Sequence, residues 1–190
     1  KNFNEVELGL TDDSAFKEAS RCLGCKTRPC VSGCPVGVDI PEFIKCIVDK
    51  DLKSSYEIIL KNNSFPAICG RVCPQEKQCE AKCVRGKTGE SVAIGRLERY
   101  VADKNMECKS KIFHENNNSA NNSLPLKHKI AIVGSGPSGL TCAAELLKFG
   151  FDVTVFEALH TSGGVLAYGI PEFRLPKKIL NYELEKLKQN

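Results

Sequence analysis

Eight cysteines stand in two compact runs, Cys22-x2-Cys25-x4-Cys30-x3-Cys34-Pro35 and Cys69-x3-Cys73-Pro74-x4-Cys79-x3-Cys83. Thiolates are soft ligands, and three close cysteines with a more distant fourth before a proline form the kind of run that wraps iron–sulfur cubanes. In such runs the fourth cysteine often ligates a second cluster. Two runs point to two 4Fe–4S clusters in one small domain, and so to one-electron transfer. Zinc is the competing reading, as a zinc-held interaction domain with no enzymatic role. Structural zinc prefers paired C-x2–4-C knuckles, and only Cys22 and Cys25 form a C-x2-C pair here. A disulfide framework suits a secreted chain, but no basic start followed by an apolar stretch marks a secretory signal. The thiols therefore read as metal ligands in a reducing, cytoplasmic compartment.

A second chemistry begins at Lys129. The β-branched run Lys129–Val133 reads as a buried strand, followed at once by Gly134-Ser-Gly136-Pro137-Ser138-Gly139 and a helix-forming stretch closed by Gly150. A second strand, 152–156, ends in Glu157, an acid 23 residues after Gly134. A Gly-x-Gly-x-x-Gly between strand and helix, with an acid in register, is a dinucleotide fingerprint. Gly134 makes the tight turn, Gly136 lets backbone approach a pyrophosphate, and Gly139 lets the helix pack on the strand. The helix N-terminus attracts the phosphates, and Glu157 accepts from the ribose hydroxyls. The fingerprint alone leaves FAD and a nicotinamide dinucleotide equally open.

Nothing else in the chain suggests catalysis. His114, His128 and His160 share no spacing with an acid or nucleophile, and Cys46, Cys108 and Cys142 lie outside the runs. Cys46 and Cys142 fall on helix faces and are expected to be buried as small hydrophobes. The formal charge of +4 comes from 27 basic residues interleaved with 23 acidic ones, which does not call for nucleic acid. No apolar run approaches the roughly 18 residues of a bilayer span.

The elements that must hold these groups can be read in outline. Thr11-Asp12-Asp13-Ser14 offers helix caps ahead of a short helix that delivers Cys22. A helix begins near Asp39-Ile40-Pro41, with Phe43, Ile44, Ile47 and Val48 at helical spacing, and another carries Tyr56, Ile59 and Leu60. Ile94, Leu97 and Val101 line one face of a further helix. The organisation expected is an α-helical iron–sulfur domain over 1–107, an Asn- and Ser-rich flexible linker over 108–127, and the start of an α/β Rossmann-like dinucleotide-binding domain over 128–190. Two tripeptides in the linker, Asn117–Ser119 and Asn121–Ser123, match glycosylation acceptors and are read as linker composition. Ligation contributes roughly 10 kcal/mol or more per site by analogy with zinc peptides, comparable with a domain's net stability of about 5–15 kcal/mol. The cluster-free domain is therefore expected to be poorly folded.

Three stretches, 65–84 (FPAICGRVCPQEKQCEAKCV), 93–103 (AIGRLERYVAD) and 163–177 (GGVLAYGIPEFRLPK), closely resemble the small subunit of NADPH-dependent glutamate synthase. They are similar also to the large subunit of NADH-dependent ferredoxin:NADP oxidoreductase and, more distantly, to dihydropyrimidine dehydrogenase. The resemblance implies two 4Fe–4S clusters followed by an FAD domain. NADPH would bind a further domain present only in the full-length protein, and this chain would be an N-terminal fragment, inactive alone. It implies a partner too, a large glutamate synthase subunit or a ferredoxin-type acceptor. By the same resemblance, Cys22, Cys25 and Cys30 share one cluster with Cys83, and Cys34 joins Cys73 and Cys79 on the other. The eighth ligand is either Glu98, where relatives place Gln or Glu, or Cys69, which spacing suggests. If Glu98 is not a ligand, its simplest role is an exposed partner for Arg96 or Arg99. Gly134, Gly136, Pro137, Ser138, Gly139, Glu157 and Ala158 match adenosine and pyrophosphate contacts. Gly164, Leu166 and Arg174 match the later flavin motif, while Tyr168 and Phe173 receive no role.

Overall fold

The computed structural model describes residues 2–108 and 128–188. Contacts divide the chain into one unit over Glu7–Lys109 and a second that joins Lys1–Val6 to Ser110–Asn190. Most of the expected linker, with both Asn-x-Ser tripeptides, lies outside the described residues.

The first unit is helical. Helix α1 (Asp12–Ala19) is capped by Thr11, whose hydroxyl accepts from the Ser14 amide at 3.3 Å. A short helix α2 (Pro29–Gly33) carries Cys30. Helix α3 (Ile40–Val48) and helix α4 (Leu52–Asn62, capped by Asp51) pack together, with Phe43, Ile44, Ile47, Tyr56 and Ile59 buried between elements. Each such side chain contributes about 1.5–3 kcal/mol on burial. Val48, expected on this face, is exposed; helix α3 ends there, and its buried stripe stops one position earlier.

Helix α5 (Pro66–Val72) lies against helix α6 (Ile94–Glu107). A side chain at Gly70 would come within 2.7 Å of the Arg99 backbone, so glycine sets that approach. Ile94, Leu97 and Val101 are buried as expected. Two acids serve the amides at the start of α6: Glu18 accepts from Ala93 at 2.8 Å and Glu80 from Gly95 at 3.1 Å. Unpaired amides and a positive dipole end favour carboxylates there. Three single-turn 3₁₀ segments, Gln75–Lys77, Glu80–Lys82 and Val84–Lys87, string Cys79 and Cys83 between α5 and α6.

In the second unit, strand β1 (Lys129–Val133) pairs in parallel with β2 (Asp152–Phe156), Ile132 opposite Val155, and helix α7 (Pro137–Lys148) makes the crossover. Gly150, at φ +81°, ends the helix as anticipated. Helix α8 (Val165–Tyr168) and helix α9 (Lys177–Lys188) follow, with Leu166, Leu175, Ile179 and Leu180 buried.

Two expectations fail in this unit. Strand β1 is not buried throughout, since Ile132 alone falls below a tenth exposed and Val133 is 89% exposed. Parallel strands are continuously apolar because both faces are normally covered, whereas the described sheet has two strands with alternate residues exposed. Cys142, on α7, is exposed rather than buried; in the first unit, Cys46 on α3 is likewise only half-buried.

Gly139 answers most directly to its expected role. A Cβ on it would overlap the Gly134 carbonyl oxygen, backbone that cannot move aside without parting helix from strand. Gly139→Ala is expected to cost about 3 kcal/mol or more. Faster hydrogen exchange of the β1 amides would register the loss, and unchanged protection would contradict it.

Candidate functional site

Cys22 follows α1, Cys25 lies in the next turn, Cys30 sits in α2, and Cys83 arrives from between the second and third 3₁₀ turns. All four line one small cavity, partly open to solvent, with Ile40, Ile44, Val92 and Ile94 supplying apolar wall. The first run thus shares a cavity with a cysteine 53 residues beyond Cys30. Burial pushes the Cys30 thiol up to about 11 and raises Cys22 as well, with neighbouring sulfurs adding to both. Apolar surroundings disfavour a free thiolate, whereas coordination deprotonates a thiol outright.

A second group forms where α5 meets α6. Cys69 and Cys73 stand four apart on α5 and its C-cap, and their interaction raises the Cys69 thiol and lowers Cys73 to about 7. Cys79 is buried, its thiol pushed up to about 12 first by desolvation and then by Glu80, Glu98 and Cys34. Glu98, on the first turns of α6, is raised to about 8 by burial and held back by a hydrogen bond from Asn63, whose Nδ2 donates to Oε1 at 2.6 Å. Cys34, Cys69, Cys73, Cys79 and Glu98 therefore act on one another, and both alternatives for the eighth ligand stand in the same place. Arg96 pairs with Glu7 at 2.8 Å and Arg99 with Asp103 at 3.2 Å. The half-buried Glu98 is not the exposed surface partner that was its alternative.

Among the described residues, no three His, Cys, Asp or Glu side chains are gathered as one metal ion would require. A tetrahedral ion needs sulfurs about 2.3 Å from a common centre. By ligand type, four cysteine thiols against an apolar wall fit an iron–sulfur cluster.

Buried charge fixes the two helices that carry the second group. Arg71 on α5 lies 2.8 Å from Asp103 on α6 and also donates to the Ala67 carbonyl. Arg99 donates to the same carboxylate and, at 2.6 Å, to the Glu7 carbonyl. Shared by two guanidiniums, Asp103 clamps α5 to α6.

In the second unit, Gly134 has φ +95°, a conformation that favours glycine, and Gly136 caps α7 with Pro137 at its start. Ser138 is exposed in the first turn, where amides lack acceptors within the helix. Gly164 (φ +52°) approaches so closely that a Cβ would lie 2.8 Å from the Gly136 Cα. The loop before α8 therefore rests directly on the glycine-rich turn. Ser135, to which sequence reading gave no role, ties the two. Its amide and hydroxyl donate to Glu157, and its hydroxyl oxygen accepts from the Gly163 amide at 3.0 Å. Those bonds, with the Leu159 amide at 2.9 Å, hold the Glu157 carboxyl down at about 2. Oε2 already accepts both bonds from Ser135, so a ribose hydroxyl would be taken by Oε1.

Leu166 is buried, while Ala158 and Arg174 are exposed. Lys177 is the other residue that sequence reading missed. Its ammonium donates to the carbonyls of Ile170 at 2.6 Å, Leu166 at 3.1 Å and Leu175 at 3.4 Å, and so folds the loop bearing Arg174. Lysine after Leu-Pro is too common a sequence to have marked it.

Comparison with known proteins identifies a family for each of the two stretches. The family described as dihydropyrimidine dehydrogenase domain II, 4Fe-4S cluster, matches residues 1–110, and an NAD(P)-binding Rossmann-like domain family matches 132–182. The chain is 37% identical over 186 residues to the NAD-dependent dihydropyrimidine dehydrogenase subunit PreT of Escherichia coli, covering 98% of this chain and 43% of that protein. It is 34% identical over 191 residues to the glutamate synthase [NADPH] small chain of Azospirillum brasilense, covering 98% and 38%. The corresponding small chain of Escherichia coli is 33% identical over 183 residues, covering 96% and 38%. The chain thus spans less than half the length of these curated relatives. No helix among the described residues is long and apolar enough to cross a membrane.

Proposed function

Because this chain belongs to the 4Fe-4S family of dihydropyrimidine dehydrogenase domain II, we propose that it is the electron-transfer part of an NAD(P)H-dependent oxidoreductase. Its work is to carry electrons between a flavin and a partner subunit. The observation that carries this reading is the cavity shared by Cys22, Cys25, Cys30 and Cys83. These four hold one cluster, and Cys34, Cys73, Cys79 and Glu98 hold the other. Gly134, Gly136, Pro137, Ser138, Gly139, Glu157, Ala158, Gly164, Leu166 and Arg174 form the FAD side, with Ser135 fixing the acid and Lys177 the loop. When bound, these groups supply the conversion of a hydride pair into single electrons. The chain's own residues supply position: thiols at fixed corners, an apolar wall that excludes water, and amides aimed at phosphate.

For the partner we propose a large subunit that makes glutamate, as the 163–177 motif and the glutamate synthase small chains suggest. A pyrimidine-reducing partner is the second reading, favoured by the 37% identity to the PreT subunits against 34% and below for the small chains. The subunit that co-purifies, and whether added NAD(P)H drives glutamate formation or pyrimidine reduction, separates the two. For the redox reading itself, anaerobically prepared protein is expected to be brown, to contain iron and acid-labile sulfide in equal amounts, and to be bleached by dithionite. Colourless protein containing zinc would overturn it.

A further inference from the structure

Asn63 touches both candidates for the eighth ligand. It closes α4, is 7% exposed, and reaches three groups. Its Nδ2 donates to Glu98 Oε1 at 2.6 Å, and its Oδ1 accepts from the Phe65 amide at 3.0 Å and from the Cys69 thiol at 3.5 Å. The orientation of the amide follows from Phe65. A backbone N–H only donates, so the oxygen must face it and Cys69, and the NH2 must face Glu98. From this geometry we infer that Asn63 is a positioning residue that assigns the ligand roles, aiming Glu98 at the second cluster and holding the Cys69 side chain outside it.

The inference rests on the ligand reading given above and adds the reason for the choice. Hydrogen-bonded partners that orient ligands tune metal sites strongly, commonly by 10- to 100-fold in affinity. Asn63 performs two such tasks at once. Its NH2 fixes the Glu98 carboxylate in one rotamer, and its carbonyl holds the Cys69 sulfur by a hydrogen bond on the other side. Phe65 makes the same oxygen part of an Asx turn at the start of α5, so the device is anchored to the helix that carries Cys69 and precedes Cys73.

Asn63→Asp separates this role from the turn. It keeps an acceptor for Phe65 and Cys69 and replaces the donor that faces Glu98 by an oxygen. In the anaerobic holoprotein, N63D is expected to keep its helical circular dichroism and its iron. The electron paramagnetic resonance signal and midpoint potential of one cluster should shift, as Cys69 replaces Glu98, while the other cluster stays unchanged. Asn63→Ser, which loses the amide altogether, should shift the same signal. N63D combined with Cys69→Ala should lose about half the iron, whereas Cys69→Ala alone should lose none. A purely structural asparagine would lower the melting temperature and leave both signals in place. If N63D has native signals while Glu98→Ala shifts one of them, the inference on Asn63 falls alone. If Glu98→Ala also leaves both unchanged, the ligand reading falls with it.

Discussion

Cys83→Ala protein, prepared without air, is expected to contain about half the native iron and sulfide and to lack the same cluster signal that Cys22→Ala removes. Cys34→Ala should match Cys73→Ala and Cys79→Ala instead. The reason is spatial. Cys83 lines the cavity of the first run, whereas Gly33, next to Cys34, lies so near Cys79 that an added Cβ would sit 3.1 Å from its Cα. If each run wrapped its own cluster, Cys83 would group with Cys79 and Cys34 with Cys22, so the pairing of signals decides the matter. The effect on folding should be as large as the effect on iron. Ligation of a structural metal is worth roughly 10 kcal/mol or more, against a domain's net stability of about 5–15 kcal/mol. Each single variant should therefore lose a sharp thermal transition in the helical unit, and complete chelation should abolish it. A chelated protein that melts cooperatively at the native temperature would refute the coupling.

Asp103→Ala is the second large effect, expected at about 3 kcal/mol. Removing one member of a buried ion pair costs about 3–5 kcal/mol, because the remaining charge keeps its desolvation penalty. The lower end applies because the Asp103 side chain is 26% exposed, while those of Arg71 and Arg99 are only 3% and 4% exposed. Both arginines keep a backbone acceptor, Ala67 for Arg71 and Glu7 for Arg99, which limits the loss further. The damage should fall unevenly. Asp103 joins α5, with Cys69 and Cys73 at its end, to α6, which carries Glu98, so the second cluster should be lost on dilution before the first. Urea denaturation gives the energy, and iron release followed by resonance spectroscopy gives the order. Equal lability of both clusters would show that the clamp does not serve the second site.

Much of the second unit was legible because its chemistry is local. The fingerprint specifies a backbone path, and Gly134, Gly136 and Gly139 do in space what their spacing requires. Its misreadings share one cause. Strand β1 and Cys142 were judged by the company such sequences usually keep, yet burial depends on what packs against a face, and a five-residue window does not contain that. Val48 failed for a related reason, since periodicity shows which face of α3 is apolar but not where the neighbouring helix stops. In the first unit, Phe43, Ile44, Ile47, Ile59 and Leu97 were all identifiable, because a long periodic stripe must be buried somewhere.

What the sequence by itself determined is chemical type: soft thiolate ligands in two runs, a phosphate-binding turn, and helical stripes to hold them. Only the tertiary structure decided what surrounds them. It lines one pocket with Cys22, Cys25, Cys30 and Cys83, the set that the family resemblance implied, and places Asn63 between Glu98 and Cys69. Spacing constrains neighbours along the chain, but partners more than fifty residues apart meet only where packed helices bring them. That packing depends on contacts such as Gly70 against Arg99 and on charges such as Asp103, which carry no signal until the chain has folded.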